Sequence, residues 1–203
     1  GWYRTSFVVD KDSKRVLLNF DGAMAEPVVY VNGKKAGEWK YGYSAFNVDV
    51  TPYVHKDGTA NVLAVRLRHM EESNRWYPGA GLFRPVTLIQ TDKAAIEQWG
   101  VEANVFDLDI KGNIIVEALR AKTVGTQDGS YAVEFTVDME NGAHTSLLAS
   151  VREDGTASGV MDISGVTLWT PETPRLYSLT TSLYKMRNGK KEGLVDKQVS
   201  GIG

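Results

Sequence analysis

The stretch "NRWYPGAG", Asn74 to Gly81, sets a carboxamide, a guanidinium, two aromatic rings, a proline and two glycines side by side. Strand-like sequence runs up to it through "NVLAVRLRH" and away from it through "RPVTLIQ", so it reads as a loop held at both ends. Flat aromatic faces stack on the apolar C–H faces of sugar rings, and Arg and Asn supply the directional hydrogen bonds that hydroxyl groups need. Asn74, Arg75, Trp76 and Tyr77 are therefore a candidate glycan contact. The same residues also suit a packing role, in which Trp76 and Tyr77 plug the edge of a sandwich while Pro78, Gly79 and Gly81 shape the turn. Residue chemistry leaves both readings open.

Elsewhere the chain offers no convergent catalytic set. There is no G-x-S-x-G elbow, P-loop, G-x-G-x-x-G or H-E-x-x-H. "DLDIKGN" places Asp107, Asp109 and Asn113 near Gly112 in faint likeness to a calcium loop, but it lacks the distal bidentate glutamate and lies between two strand-like runs, which favours a β-turn. Glu71 and Glu72 are adjacent carboxylates that fit a solvated loop. His55, His69 and His144 have no ligand-type neighbour at metal spacing, so neither a metal nor a cofactor is expected. The absence of cysteine excludes a disulfide framework, thiolate zinc sites and a cysteine nucleophile, but does not fix the compartment.

The 203 residues suffice for one large or two ordinary domains. Hydrophobic residues at 42% and charged residues at 24% are near globular averages, which argues for a real core and against disorder or coiled coil. With 23 basic against 25 acidic side chains the charge is too balanced for a nucleic-acid or anionic-membrane partner. No apolar run reaches the roughly 18 residues of a membrane span, and "GWYRTSF" lacks the build of a signal peptide, so the chain is expected to be soluble and already trimmed.

The dominant hydrophobic period is two. "SAFNVDVTPYV" puts Phe46, Val48 and Val50 on one face and Asn47, Asp49 and Thr51 on the other; "YAVEFTVDM" puts Tyr131, Val133, Phe135, Val137 and Met139 inward and Ala132, Glu134, Thr136 and Asp138 outward. "RVLLNF", "NIIVEALRA", "HTSLLASV" and "LYSLTTSLYKM" read similarly, and three Asn-Gly pairs, Asn32-Gly33, Asn141-Gly142 and Asn188-Gly189, offer the positive φ that tight hairpins require. No stretch sustains a helical period for three turns. Short strands at this spacing predict an all-β chain of sandwiches, with a boundary near "QTDKAA" that separates residues 1–92 from residues 93–203.

The order "GWYRTSF", "NFDGAMAEPVVYVNGKKAGEWKYGYSAFNVDVTPYV", "NVLAVRLRH", "SNRWYPGAGLFRPVTL" resembles the N-terminal sugar-binding jelly-roll domain of glycoside hydrolase family 2. "LWTPETPRLYSLTTSLY" and the final "VSGIG" are similar to that family's immunoglobulin-like second domain, which leads into a TIM barrel. The resemblance implies a galactose-binding-like jelly roll at 1–92, with earlier strands of that domain missing from the chain, and an immunoglobulin-like sandwich at 93–203. It also implies a parent, β-galactosidase-like from the spelling "RWYPGAG", that hydrolyses terminal β-glycosides with retention. The catalytic glutamates of the family lie in the barrel, so this chain is expected to be a non-catalytic fragment. Carried over residue by residue, Asn74, Arg75, Trp76 and Tyr77 become the substrate-rim or barrel-contacting residues, with Asn74 and Arg75 facing sugar or barrel and Trp76 and Tyr77 shaping the loop. The implied partners are the catalytic barrel, a carbohydrate substrate and further copies of the chain, with periplasmic or secreted placement favoured over cytoplasmic. A free-standing carbohydrate-binding module is the alternative. A third reading gives the fragment no ligand and an apolar face that self-associates.

Overall fold

The computed structural model describes residues 1–68, 70, 79–111, 114–139 and 142–203. The chain divides into two compact units, Gly1–Asp92 and Lys93–Gly203, and each is built almost wholly of antiparallel strands.

In the first unit the strands are β1 (Trp2–Phe7), β2 (Arg15–Phe20), β3 (Val28–Val31), β4 (Lys34–Glu38), β5 (Phe46–Asp49), β6 (Asn61–Arg66) and β7 (Val86–Thr91), with one 3-10 turn at Thr51–Tyr53. They form a four-stranded sheet in the order β1-β6-β3-β4 and a three-stranded sheet in the order β5-β2-β7. Alternation decides which side chains meet between them. Phe46, Val48 and Val50 are buried while Asn47 and Asp49 are exposed, and they join Val16, Leu18, Phe20, Val29, Val31 and Val65 in one core. Phe20 and Phe46, opposite one another across β2 and β5, stack at 4.7 Å between centroids.

Asn32 and Gly33 turn β3 into β4 with φ of 50° and 79°, the paired positive values that a two-residue hairpin turn needs. Asn32 does more than turn. Its side chain donates to Asn61 Oδ1 and to the Tyr53 carbonyl, each at 2.8 Å, and accepts from the Val62 N–H at 2.9 Å. Asn61 is fully buried, and its side chain is satisfied by Asn32 together with the His55 backbone, accepting from the His55 N–H at 2.7 Å and donating to the His55 carbonyl at 3.0 Å.

The second unit contains β8 (Ala95–Asp109), β9 (Ile114–Val124), β10 (Tyr131–Asp138), β11 (His144–Ser150), β12 (Thr156–Ser164), β13 (Tyr177–Arg187) and β14 (Lys190–Ile202). Its sheets run β11-β10-β13-β14 and β12-β9-β8, the strand grouping of an immunoglobulin-like sandwich. Leu119, Val133, Phe135, Val137, Leu179 and Leu183 fill the space between the sheets. The Tyr177 hydroxyl, at the start of β13, accepts from the Thr167 N–H at 2.6 Å and so pins the connection out of β12, in the manner of a tyrosine corner. Asn188 and Gly189 close the β13–β14 hairpin with φ of 52° and 73°.

One burial departs from what alternation alone suggests. Ala132, assigned outward by alternation, is only 3% exposed. It stands outside the core cluster, between its cross-strand neighbours Ser150 and Tyr184, because β10 is an inner strand whose outer face is partly covered by larger side chains. Asp107 and Asp109 lie on β8, where their carboxylates accept from the N–H groups of Leu108 and Lys111 as strand-end and turn bonds. Gly112 and Asn113, the remainder of that motif, and Asn141 lie outside the described residues.

Candidate functional site

Register brings three connections of the first unit to one end of its sandwich. Phe20 lies opposite both Phe46 and Val86, and Val28 lies opposite both Glu38 and Arg66. The β2–β3, β4–β5 and β6–β7 connections therefore emerge together, beside the start of β1, where Trp2 lies opposite Arg66.

These connections hold one another. Met24 and Gly81 exchange backbone hydrogen bonds at 3.0 and 2.9 Å, and the Arg68 N–H donates to the Ala25 carbonyl at 2.9 Å. Arg84 Nη1 donates to the Asp21 carbonyl at 3.3 Å, and its guanidinium lies 5.1 Å from the centre of the Phe83 ring. Two glycines make the approach possible. A β-carbon at Gly22 would stand 2.7 Å from Phe83 Cζ, and one at Gly42 would collide with Met24. Glu26 takes a φ of 46°, and its carboxylate lies 3.8 Å from Arg68 Nη1.

The β4–β5 connection carries the aromatic surface. Trp39 stacks on Phe46 at 5.6 Å and 9°, continuing the Phe20–Phe46 stack out of the core, and its Nε1 donates to Ser44 Oγ at 3.0 Å. Anchored in this way, the connection projects Tyr41, 60% exposed, and Tyr43, 48% exposed, with centroids 5.7 Å apart. Glu38, Trp39, Lys40 and Tyr41 line a hollow of about 290 Å³. The Lys35 ammonium, donating to Glu38 at 2.8 Å and assisted by the charge on Lys40, holds the Glu38 carboxyl below the usual glutamate range. Exposed rings beside fixed charges and hydroxyls form a surface suited to stacking and hydrogen bonding with a polar ring-shaped ligand.

A more enclosed cavity, about 270 Å³, opens between β1 and β7 and is lined mainly by Tyr3, Phe7, Leu18, Leu63, Val65 and Leu88. Its walls also include Arg4, Thr5 and Thr87 but are predominantly apolar, so the loop end, with exposed rings beside Glu38 and Lys40, is the better candidate. Among the described residues no group of His, Cys, Asp or Glu side chains could hold a metal ion.

Asn74, Arg75, Trp76 and Tyr77, singled out from sequence, belong to the β6–β7 connection and lie outside the described residues, as do His69, Glu71 and Glu72. The described residues of that connection, 67, 68, 70 and 79–85, are built into the end of the sandwich by Arg68, Gly81, Phe83 and Arg84. Sequence reading passed over Trp39, Tyr41 and Tyr43. Their signal was "EWKYGYSAF", three aromatics at every second position before a strand, out of phase with the core residues Phe46, Val48 and Val50.

Residues 1–92 match the family model for the glycosyl hydrolases family 2 sugar binding domain, and residues 94–202 match a second glycosyl hydrolases family 2 model. The chain belongs to glycoside hydrolase family 2. Among family 2 relatives it is similar to the β-galactosidase BoGH2A of Bacteroides ovatus, 32% identical across the whole chain and 24% of that protein. It is also similar to a putative β-glucuronidase of Formosa agariphila, 30% identical across the whole chain and 19% of that protein. A solved family 2 structure from Bacteroides cellulosilyticus superposes with a TM-score of 0.86 at 25% identity, covering all of this chain and 28% of the other. The putative β-galactosidase of Bacteroides fragilis superposes at 0.78 with 26% identity, covering all of this chain and 32% of the other. The chain thus spans about a quarter of the length of these relatives, and the matched portion is N-terminal.

Proposed function

We propose that this chain is the non-catalytic N-terminal part of a family 2 glycosidase, in which the loop end of the first sandwich borders the active site of a separate catalytic barrel. The observation that carries the reading is the ordered match of both family models over residues 1–202 together with coverage of only about a quarter of each relative. In this reading Asn74 and Arg75 reach toward sugar or barrel from the β6–β7 connection, and Tyr41, Tyr43 and Phe83 form the surrounding wall. The second sandwich links the first to the barrel. The barrel supplies the acid/base and nucleophilic carboxylates of a retaining mechanism on terminal β-glycosides, of the β-galactosidase or β-glucuronidase kind that the relatives' names indicate. Placement outside the cytoplasm of a bacterium completes the proposal.

The test joins two assays on the purified chain: turnover of nitrophenyl β-galactoside and β-glucuronide, and calorimetric titration with galactose, lactose and glucuronic acid. The expected result is silence in both, because the loop end forms only one wall of the site. Saturable millimolar binding without turnover would favour a free-standing carbohydrate-binding module. Turnover by the chain itself would overturn the reading.

A further inference from the structure

A buried carboxyl in the second unit lies outside everything assigned to the loop end. On β9 the inward face reads Ile115, Glu117, Leu119, Ala121, so one acidic side chain interrupts an apolar row. Glu117 is 3% exposed, and its Oε2 has no hydrogen-bond partner among the described residues. Buried polar atoms are nearly always paired, and a carboxylate is the most costly kind to leave unpaired. Glu117 also lines a cavity of about 420 Å³ whose wall includes Val105 of β8, Leu176, and Ser200 and Ile202 of β14. Val105 and Leu176 are more than half exposed, at 53% and 64%, so the cavity reaches the surface through an apolar rim. Trp169, 50% exposed, extends that rim, since a β-carbon at Gly203 would lie 2.9 Å from Leu176 and 3.6 Å from Trp169.

We infer that this cavity receives a basic side chain from a protein partner: an aliphatic stem lies along Val105, Leu176 and Ile202, and its guanidinium or ammonium group bonds Glu117. Two features point to this chemistry. An acceptor-only carboxylate in one cavity with the apolar side chains of Val105, Leu176 and Ile202 matches a side chain that buries its methylenes and carries its donors at the tip. A charge-assisted bond there would supply the partner that Oε2 lacks. Burial also pushes the Glu117 carboxyl above the ordinary glutamate range, and a bound cation would bring it back down. The exposed apolar rim argues for a protein over a free amine, because Trp169, Leu176 and Val105 give a partner's own apolar surface something to cover.

The test uses the 203-residue chain and NMR shifts of Glu117, Ser200 and Ile202 on titration with three probes: n-butylguanidinium, its neutral counterpart n-butylurea, and the tripeptide amide acetyl-Leu-Arg-Leu. Saturable shifts are expected with butylguanidinium and none with butylurea, and the tripeptide is expected to bind about tenfold more tightly than butylguanidinium. Glu117→Gln should weaken both cationic probes by at least about tenfold. Absence of saturation, equal response to butylurea, or undiminished binding by the Gln variant overturns the site. Equal affinity of tripeptide and butylguanidinium overturns the protein partner. If the Gln variant does not fold, the wild-type comparison of butylguanidinium with butylurea decides by itself.

Discussion

Glu117 shows how one residue can be consistent with its strand and discordant with its surroundings. Its neighbours Ile115, Leu119 and Ala121 alternate inward as a buried strand requires, and Glu117 follows the same phase. The cost appears as pH dependence. Burial raises the folded-state pKa above the ordinary glutamate value of about 4.5, so the folded state holds a proton that the unfolded state releases. Stability from this group is fully present below about 4.5 and is lost as pH rises through the folded value. Glu117→Gln removes that loss, so the variant should gain stability relative to wild type as pH rises through this window. Denaturant unfolding at a series of pH values checks it. The difference between the two proteins cancels the opposite-signed contributions of Asp57, Asp128 and Asp154, whose hydrogen bonds, to Thr59, Lys93 and Thr156 respectively, hold their carboxyls below the usual range. Parallel stability curves would show that Glu117 titrates normally. The anomaly was not legible in "NIIVEALRA", where Ile114, Val116 and Ala118 offer an equally apolar phase that would turn Glu117 outward, nor was the cavity, because Leu176 and Ile202 come from distant sequence.

At the level of elements, turns and alternation carried most of the information. Asn32-Gly33 and Asn188-Gly189 close hairpins because both residues adopt positive φ there, and the alternating stretches at Phe46–Val50 and Val133–Val137 bury the side chains that their period selects. Sequence failed where an element depends on a distant partner. Ala132 is buried by strands on either side, and the tie from Tyr177 to Thr167 spans a connection without local periodicity. Tyr177→Phe keeps the ring and removes that tie. It should cost about 0.5–1.5 kcal/mol, the net worth of an ordinary hydrogen bond, measurable as a lower denaturant midpoint with unchanged slope. The same logic governs the frame of the candidate site. Gly81 holds a φ of 123°, and a β-carbon there would stand 2.5 Å from the Tyr3 hydroxyl. Gly81→Ala should therefore destabilise by roughly 1–3 kcal/mol and broaden the amide signals of Met24 and Ala25, in the β2–β3 connection to which this one is tied. Unchanged stability would mean that the connection relaxes without strain.

For the molecule as a whole, the ordered motifs from "GWYRTSF" to "VSGIG" revealed two sandwiches and their family, but the loop end exists only once register is known. Nothing local says that the "DGAMAEP", "WKYGYSA" and "GAGLFRP" segments share one end of a sandwich. Phe20 opposite both Phe46 and Val86 brings them there. That convergence gives Arg75 a testable role, since it belongs to a connection whose described part, through Gly81 and Arg84, is bonded to the β2–β3 loop. A guanidinium that contacts sugar hydroxyls in the transition state should be felt in the chemistry, whereas a packing residue should be felt in the melting temperature. In a full-length polypeptide bearing this chain, Arg75→Ala should lower kcat/KM on a nitrophenyl β-glycoside by at least tenfold, about 1.4 kcal/mol of transition-state stabilisation. The melting temperature should stay within the small range typical of surface substitutions. A drop in melting temperature with kcat/KM preserved would return Arg75 to the frame of the loop and leave Asn74 and the exposed Tyr41 and Tyr43 as the groups facing the ligand.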